Sequence, residues 1–495
     1  MAVDLEHERD PEILRQAVAL LEAENRRLVA QVTELTRRLL EAQGKDRVAL
    51  QLEIEALQRQ LEKKNRMLFG QSTERREAEG GNAETKAKQP QKGHGPREQK
   101  NLRVVEVAHE IAEADRICVT CKGSLEEMGE SEITEEIDVL AREFVRKKHV
   151  RKKYRCRCGA CIETAPMPPR LVPGGRYSLA FAITVAISKY ADHLPLERQV
   201  RIMQREGLEV DSQTLYDQCE ALARVLWPAY DRLGMMQLEE PLLFVDETPW
   251  PLLGKDASSA KWYAWTLASR RGAYYEIHET RGLKAAKFLL LGYKGIAVTD
   301  GYGVYDALEA RVPEMQVAQC WAHIRRKFVD CESAFPNEAK EVLDLIRELY
   351  AIDARAQDGP DGNEVRKQLR QTESRVVLAR IQAWCVGVHC TPGSGLAKAI
   401  EYMANRWSKA TLFLEHPEVP LDNNAAERAL RGLVIGRKNH YGSRSRRGTE
   451  VAAVLYSLIE SAKLVGLEPA DYLRRAAEAA LAGNEPPLPH ELLPA

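Results

Sequence analysis

The chain has 495 residues, well beyond one ordinary core of roughly 150, so about three folded units are expected. Lys plus Arg totals 72 against 73 for Asp plus Glu, a formal charge of -1, which excludes a uniformly basic nucleic-acid coat and confines basic surface to local segments. A hydrophobic content of 44% supports packed cores, and the longest apolar run, around Leu179–Ser188, is about half the ~20 residues needed to span a bilayer. The acidic N-terminus MAVDLEHERD has no apolar signal region, so the ten cysteines read as reduced thiols or metal ligands in a cytoplasmic protein, and no membrane partner is expected.

Residues 10–70 carry a heptad pattern. Leu14, Leu21, Leu28 and Leu35 recur every seven residues, with Val18, Asn25, Val32 and Leu39 on the alternate seam. A polar Asn at one such position costs stability but favours a single register and often a dimer. The pattern slips near Gly44 and resumes through Leu50, Ile54, Leu57, Leu61 and Leu68. A leucine-zipper-like coiled coil that pairs two copies is expected, rather than a helix packed on its own domain. Residues 71–102 then form a flexible linker, because 77–100 contain no aromatic or branched apolar residue.

Residues 103–170 hold five cysteines. Cys118 and Cys121 form one CxxC pair; Cys158 and Cys161 form another, with Cys156 as an alternative ligand. Paired thiolates at that spacing can close a tetrahedral Zn2+ site. Between the pairs runs RKKHVRKKYRCR, in which eight of twelve residues are Lys or Arg. Arg146, Lys147, Lys148, Arg151, Lys152 and Lys153 on that segment suit a phosphate backbone, though a solvated strand would look similar. Residues 171–238 read as helical, with a helix, Gly207, a turn and a helix capped by Ser212; this is compatible with a helix-turn-helix and equally with two core helices.

From residue 239 the pattern changes to LLFVDET, a buried strand ending at Asp246, then KWYAWTLASR and AYYEIHET with period two. A helix, the strand GIAVTDG ending at Asp300, a helix at 304–311 and the strand MQVAQC follow. Three strands, helix, strand, helix, strand is the element order of a ribonuclease-H-like fold, in which the first and fourth strands are neighbours and bring Asp246 beside Asp300. Two carboxylates that close call for a divalent cation. A third acid, Glu427, falls in the first turns of a helix capped by Asp422 or Asn423.

The motifs VDETPW, TDGYGVY, CWAHIRRKF and LDNNAAERALRGLVIGRKN, with the zipper, RMLFGQSTERR and the cysteine region, resemble the bacterial insertion-sequence transposases of the IS66 family over about residues 14 to 482. The resemblance implies a DDE-type DNA transposase whose triad is Asp246, Asp300 and Glu427, using Mg2+ or Mn2+ to cleave and rejoin phosphodiesters. The intervals of 54 and 127 residues suit a core with a large insertion before the glutamate. It also implies double-stranded DNA partners, the element ends and the target, with small accessory proteins from the same element. Cys320 and His323 resemble a Cys-x2-His signature with a structural role near the active site and no metal assigned. Arg325 and Arg326 follow them, and Arg428, Arg431, Arg437, Lys438 and Arg444 lie beside the glutamate; all are expected to meet DNA. In this resemblance the second knuckle more often has just two cysteines, where this chain reads CRCGAC, so Cys156 and Cys158 remain alternatives.

The fold class expected is therefore multidomain α+β: coiled coil, zinc-binding module, helical DNA-binding segment, and a ribonuclease-H-like catalytic core at 239–334 and 416–450. A helical insertion fills 335–415. C-terminal helices and a loose tail make up 451–495, with Leu455, Leu458, Ile459 and Leu464 facing inward. The rival functions are a DNA-binding regulator without catalysis and a structure-specific nuclease of the same fold.

Overall fold

The computed structural model describes residues 142–155, 162–254, 261–356 and 362–493, with isolated helical positions at Arg27, Ala30, Gln31, Glu34, Ile54 and Leu57. The chain divides into two units, residues 1–69 with 144–495, and residues 70–143; the description below concerns the first. The linker and all five cysteines of the zinc module lie outside the described residues, as does the heptad repeat apart from those isolated positions, of which Ile54 is buried.

The basic segment enters a small antiparallel hairpin of β1 (Lys153–Arg155) and β2 (Ile162–Thr164). Three helices follow: α1 (Leu179–Tyr190), α2 (Leu196–Arg205) and α3 (Ser212–Glu239). Ser178 caps α1 by accepting from the Phe181 N–H at 3.2 Å. The α2–α3 turn uses Gly207 at φ +83, a left-handed conformation that glycine adopts without steric cost. The cap of α3 is Asp211, not Ser212; its carboxylate accepts from Thr214 N at 2.6 Å and carries the extended backbone a cap requires. The long α3 buries Leu215, Leu222, Leu226 and Leu233.

The central sheet contains β3 (Leu242–Trp250), β4 (Trp262–Ala268), β5 (Ala273–His278), β6 (Ile296–Thr299) and β7 (Gln316–Gln319), in the order β5-β4-β3-β6-β7. The first three strands pair antiparallel, as short turns between consecutive strands allow. Parallel pairing of β3 with β6 and of β6 with β7 requires crossovers, which are α4 (Leu283–Leu289) and α5 (Gly303–Glu309). The mixed sheet and its order match the sequence expectation.

Strand alternation sorts the two faces. Leu243, Val245, Trp265, Leu267, Ala297 and Val317 pack with α4 and α5 on one face. Ile296, Val298 and Ala318 point the other way into helices drawn from residues 321–421, while Trp262, Ala264 and Tyr275 meet α1, α3 and the C-terminal helices.

After β7 the chain is helical: α6 (Trp321–Val329), α7 (Pro336–Asp353), α8 (Gly362–Leu369), α9 (Arg375–Gly387), α10 (Gly395–Ala404) and α11 (Trp407–Ala410). A π turn at Arg370–Ser374 joins α8 to α9 and buries Arg370, whose guanidinium donates to Asp353 at 2.7 Å and to the Phe413 carbonyl at 2.9 Å. Trp321 is fully buried and donates to the Ala410 carbonyl at 2.7 Å, tying this layer to the end of β7. The chain then returns to the sheet through α12 (Asn424–His440), α13 (Arg446–Leu464) and α14 (Pro469–Leu481).

Two C-terminal expectations are corrected. Leu455, Leu458 and Ile459 are fully buried, but Leu464 is 53% exposed because it closes α13 on the solvent side. The tail after Gly483 is packed: Leu488 and Pro489 are buried, and Glu491 pairs with Arg232 at 2.7 Å. Among the described residues no helix is long and apolar enough to cross a membrane.

Candidate active site

Asp246 does not end its strand. β3 pairs with β6 only over Leu242–Phe244, and continues to Trp250 against β4 alone. Asp246 thus lies just past the point where the β6 ladder stops, and Asp300 is the first residue beyond β6. Carboxylate oxygens of Asp246, Glu247 and Asp300 lie within 4.8 Å of one another. The Asp246 carboxylate accepts from the Glu247 N–H at 2.8 Å, and Asp300 accepts from the Tyr302 N–H at 2.8 Å.

Burial pushes the Asp246 carboxyl up to about 7, and the charges of Glu247, Asp300 and Glu427 add to the effect. Glu427 is in the first turn of α12 and exposed, and its charge acts on both Asp246 and His323. The helix is held against β3 by Asn423, which donates from Nδ2 to the Val245 carbonyl at 3.0 Å and from its backbone to Cys320 Sγ at 3.3 Å. Asn423 occupies the cap position without a capping side-chain bond; Asp422 instead accepts from the Asn424 N–H at 3.1 Å.

Glu247 is an acid that sequence reasoning does not single out. One position along from Asp246, it falls on the opposite face by strand alternation. Its side chain is wholly buried, with Oε1 accepting from Arg281 Nε at 2.5 Å and Oε2 from the Tyr305 hydroxyl at 2.5 Å. Burial raises its pKa, opposed by the bonds from Tyr305 and Arg281. The signal in the sequence is the acid pair in VDET; its partners come from elements 34 and 58 residues away and cannot be assigned from spacing.

The loop after Asp300 is clamped from the helical layer. Tyr402 of α10 donates to the Asp300 carbonyl at 3.0 Å and Arg406 donates to the Gly301 carbonyl at 3.0 Å. Lys409 bridges Asp306 and Glu309 of α5. Gly301 has φ +86, and a Cβ there would stand 2.5 Å from Gln319 and 2.6 Å from the Tyr402 hydroxyl. Cys320 is buried at the start of α6 and its thiol is pushed up to about 11 by that burial. His323 is half-buried and faces Asp300 and Glu427; burial lowers its pKa, and its Nδ1 has no hydrogen-bond partner.

The basic residues differ in availability. Arg146, Lys147, Lys148, Arg151, Lys152 and Lys153 are all exposed, as are Val150 and Tyr154 among them. Arg325, Arg326, Arg428, Arg431, Lys438 and Arg444 are exposed on α6, on α12 and in the loop after it. Arg437 is half-buried and donates to Thr248 at 2.9 Å and to the Pro249 carbonyl, so it braces β3. Arg447 pairs with Glu220 at 2.9 Å.

Two family models match the chain. One, described as the transposase IS66 family, covers residues 174–451. The other, the zinc-finger binding domain of transposase IS66, covers residues 115–159. Among similar proteins, the uncharacterized protein y4jD of Sinorhizobium fredii is 32% identical over 395 residues, 76% of each chain. The uncharacterized protein y4hP of the same organism is 29% identical over 401 residues, 74% of this chain and 72% of that one. No solved structure matches.

Proposed function

The chain belongs to the IS66 family of transposases, and from that premise we propose that it binds the ends of an insertion sequence and cleaves and rejoins DNA there with Asp246, Asp300 and Glu427 as the catalytic acids. The observation that carries the proposal is the juxtaposition of Asp246 and Asp300 where the β6 ladder ends, with the charge of Glu427 acting on Asp246. The strand order, antiparallel on one side of β3 and parallel on the other, supports a ribonuclease-H-like core. The helices between Pro336 and Ala410 would be its insertion.

The donor set fits a divalent cation. Burial, and after it the charges of Glu247, Asp300 and Glu427, disfavour the ionised form of Asp246, and a bound cation would offset both. Asp246, Asp300 and Glu427 would hold Mg2+ or Mn2+; Glu247 suits this less, since both its oxygens already accept hydrogen bonds, one from Arg281 and one from Tyr305. When bound, such an ion supplies charge neutralisation and polarisation at a phosphodiester oxygen. The protein's own part is placement. Asn423 holds the start of α12 against β3, with Glu427 in the first turn of that helix, and Tyr402 and Arg406 fix the loop of Asp300.

Three acids repel DNA, so the exposed basic side chains matter for approach. Arg428 and Arg431 share α12 with Glu427, and the hairpin segment from Arg146 to Lys153 offers a ribbon with Tyr154. The surface of α3 near its start carries Asp217 and Glu220 and is a poorer DNA contact. Zn2+ would be held by Cys118, Cys121, Cys161 and either Cys158 or Cys156; the matched zinc-finger span encloses Cys118, Cys121, Cys156 and Cys158 and ends before Cys161. The heptads would pair two copies, as joining two DNA ends requires.

The test is incubation of the purified protein with labelled element-end DNA and Mg2+, with the element's accessory proteins present, beside Asp246→Asn. Cleavage and joining that vanish in the variant support transposition. Binding without cleavage in either protein supports a regulator, and cleavage without joining a nuclease.

A further inference from the structure

We infer that Arg281 is the side chain that grips the DNA phosphate at the acidic pocket, held in position by Glu247 and Tyr302. This deepens the transposase reading and rests on it. Arg281 follows β5 and precedes α4, and its guanidinium is fixed on two sides. Nε donates to the buried Glu247 carboxylate at 2.5 Å, and the guanidinium carbon lies 4.0 Å from the centroid of the Tyr302 ring. Its outer nitrogen Nη2 stands 3.8 Å from Asp300 Oδ2, beyond hydrogen-bond length, and the side chain is 39% exposed. One edge is therefore anchored and one face is stacked, while the outer nitrogen makes only a long ion pair with Asp300 and keeps its N–H groups for a ligand.

A planar fork of donors in that place suits the nonbridging oxygens of a phosphodiester. The phosphate would meet the fork on the side where Asp246 and Asp300 would hold a cation. Glu247 is then a positioning residue. Tyr305 and Arg281 balance it, so it keeps the guanidinium oriented without adding a free carboxylate to the pocket. A lysine could match the charge, but not the simultaneous bond, stack and second donor edge.

The experiment measures binding of the full chain to an element-end duplex in Ca2+, with either a normal scissile phosphodiester or a neutral methylphosphonate at that position. The methylphosphonate penalty in wild type should exceed that in Arg281→Ala by roughly tenfold, the size of one charge-assisted hydrogen bond read by a double-mutant cycle. Arg281→Lys and Glu247→Gln should fall between; either carries the test should Arg281→Ala fail to fold. Equal penalties in wild type and the variants overturn the inference. A parallel Mn2+ titration without DNA compares wild type with Asp246→Asn and Arg281→Ala. Mn2+ affinity lost in Asp246→Asn and kept in Arg281→Ala supports the assignment. If wild type shows no penalty while Mn2+ binding depends on Asp246, the Arg281 assignment fails and the cation-site reading stands. If Mn2+ binding is indifferent to Asp246, both fail.

Discussion

Asp246→Asn should make the cation-free protein more stable at pH 8, although it removes the central acid of the proposed site. The folded value of about 7 against an ordinary 3.8 corresponds to roughly 4 kcal/mol at 1.36 kcal/mol per unit. The sign follows from linkage. An acid whose folded pKa lies above its unfolded one contributes stability that is complete below about 4 and lost as pH rises through about 7. Asparagine stays neutral and can keep the bond from the Glu247 N–H. In a unit of several hundred residues, roughly 1–2 °C of melting temperature accompanies each kcal/mol, so the gain should be on the order of 5 °C. Thermal melts in EDTA from pH 5 to 9 read it directly. Wild type should lose stability between pH 5 and 8, and the variant should lose less. Saturating Mg2+ at pH 8 should restore several degrees to wild type and far less to Asp246→Asn. A variant that melts lower than wild type at pH 8 in EDTA would show that Asp246 is not held under charge strain, and the reasoning would fail.

Three further outcomes follow from the same geometry. Arg370→Ala leaves the Asp353 carboxylate and the Phe413 carbonyl without their buried partner and should cost about 3–5 kcal/mol, measured by urea unfolding. Gly301→Ala forces a Cβ against Gln319 and Tyr402 at positive φ; DNA cleavage should drop at least tenfold, about 1.4 kcal/mol of lost transition-state stabilisation, while circular dichroism stays unchanged. Replacing Lys147, Lys148, Lys152 and Lys153 with Gln should weaken binding to any duplex and reduce the slope of log affinity against log salt by about one for each phosphate no longer neutralised. An unchanged slope would remove that ribbon from the interface.

The strand order is legible because apolar runs and period-two stretches are short-range signals. The acids that end β6 and flank its partner follow from parallel adjacency. Asp246 within a continuing strand is less legible, since β3 keeps one neighbour after losing the other, a tertiary fact that hydropathy does not encode. Glu247 escapes notice for a related reason. Alternation sets its backbone position opposite to that of Asp246, yet its carboxylate comes within 4.8 Å of those of Asp246 and Asp300, and its role depends on Arg281 and Tyr305 arriving from other elements. The cap of α3 moves from Ser212 to Asp211 because two adjacent residues both suit the role and backbone geometry decides between them. Arg437 reads as a DNA contact from composition, yet it reaches back to Thr248 and Pro249, a pairing across 188 residues or more that spacing cannot supply. The tail after Gly483 reads as loose from its prolines, but Leu488 finds a buried place against the helical core.

The identity of the third acid is the central claim, and one measurement addresses it most directly: anomalous diffraction from crystals of the full chain soaked in Mn2+. The account predicts a peak at bonding distance from Asp246, Asp300 and Glu427, with Glu247 still bonded to Arg281. A peak coordinated by Glu247 with Glu427 turned away, or no peak between Asp246 and Asp300, would contradict it.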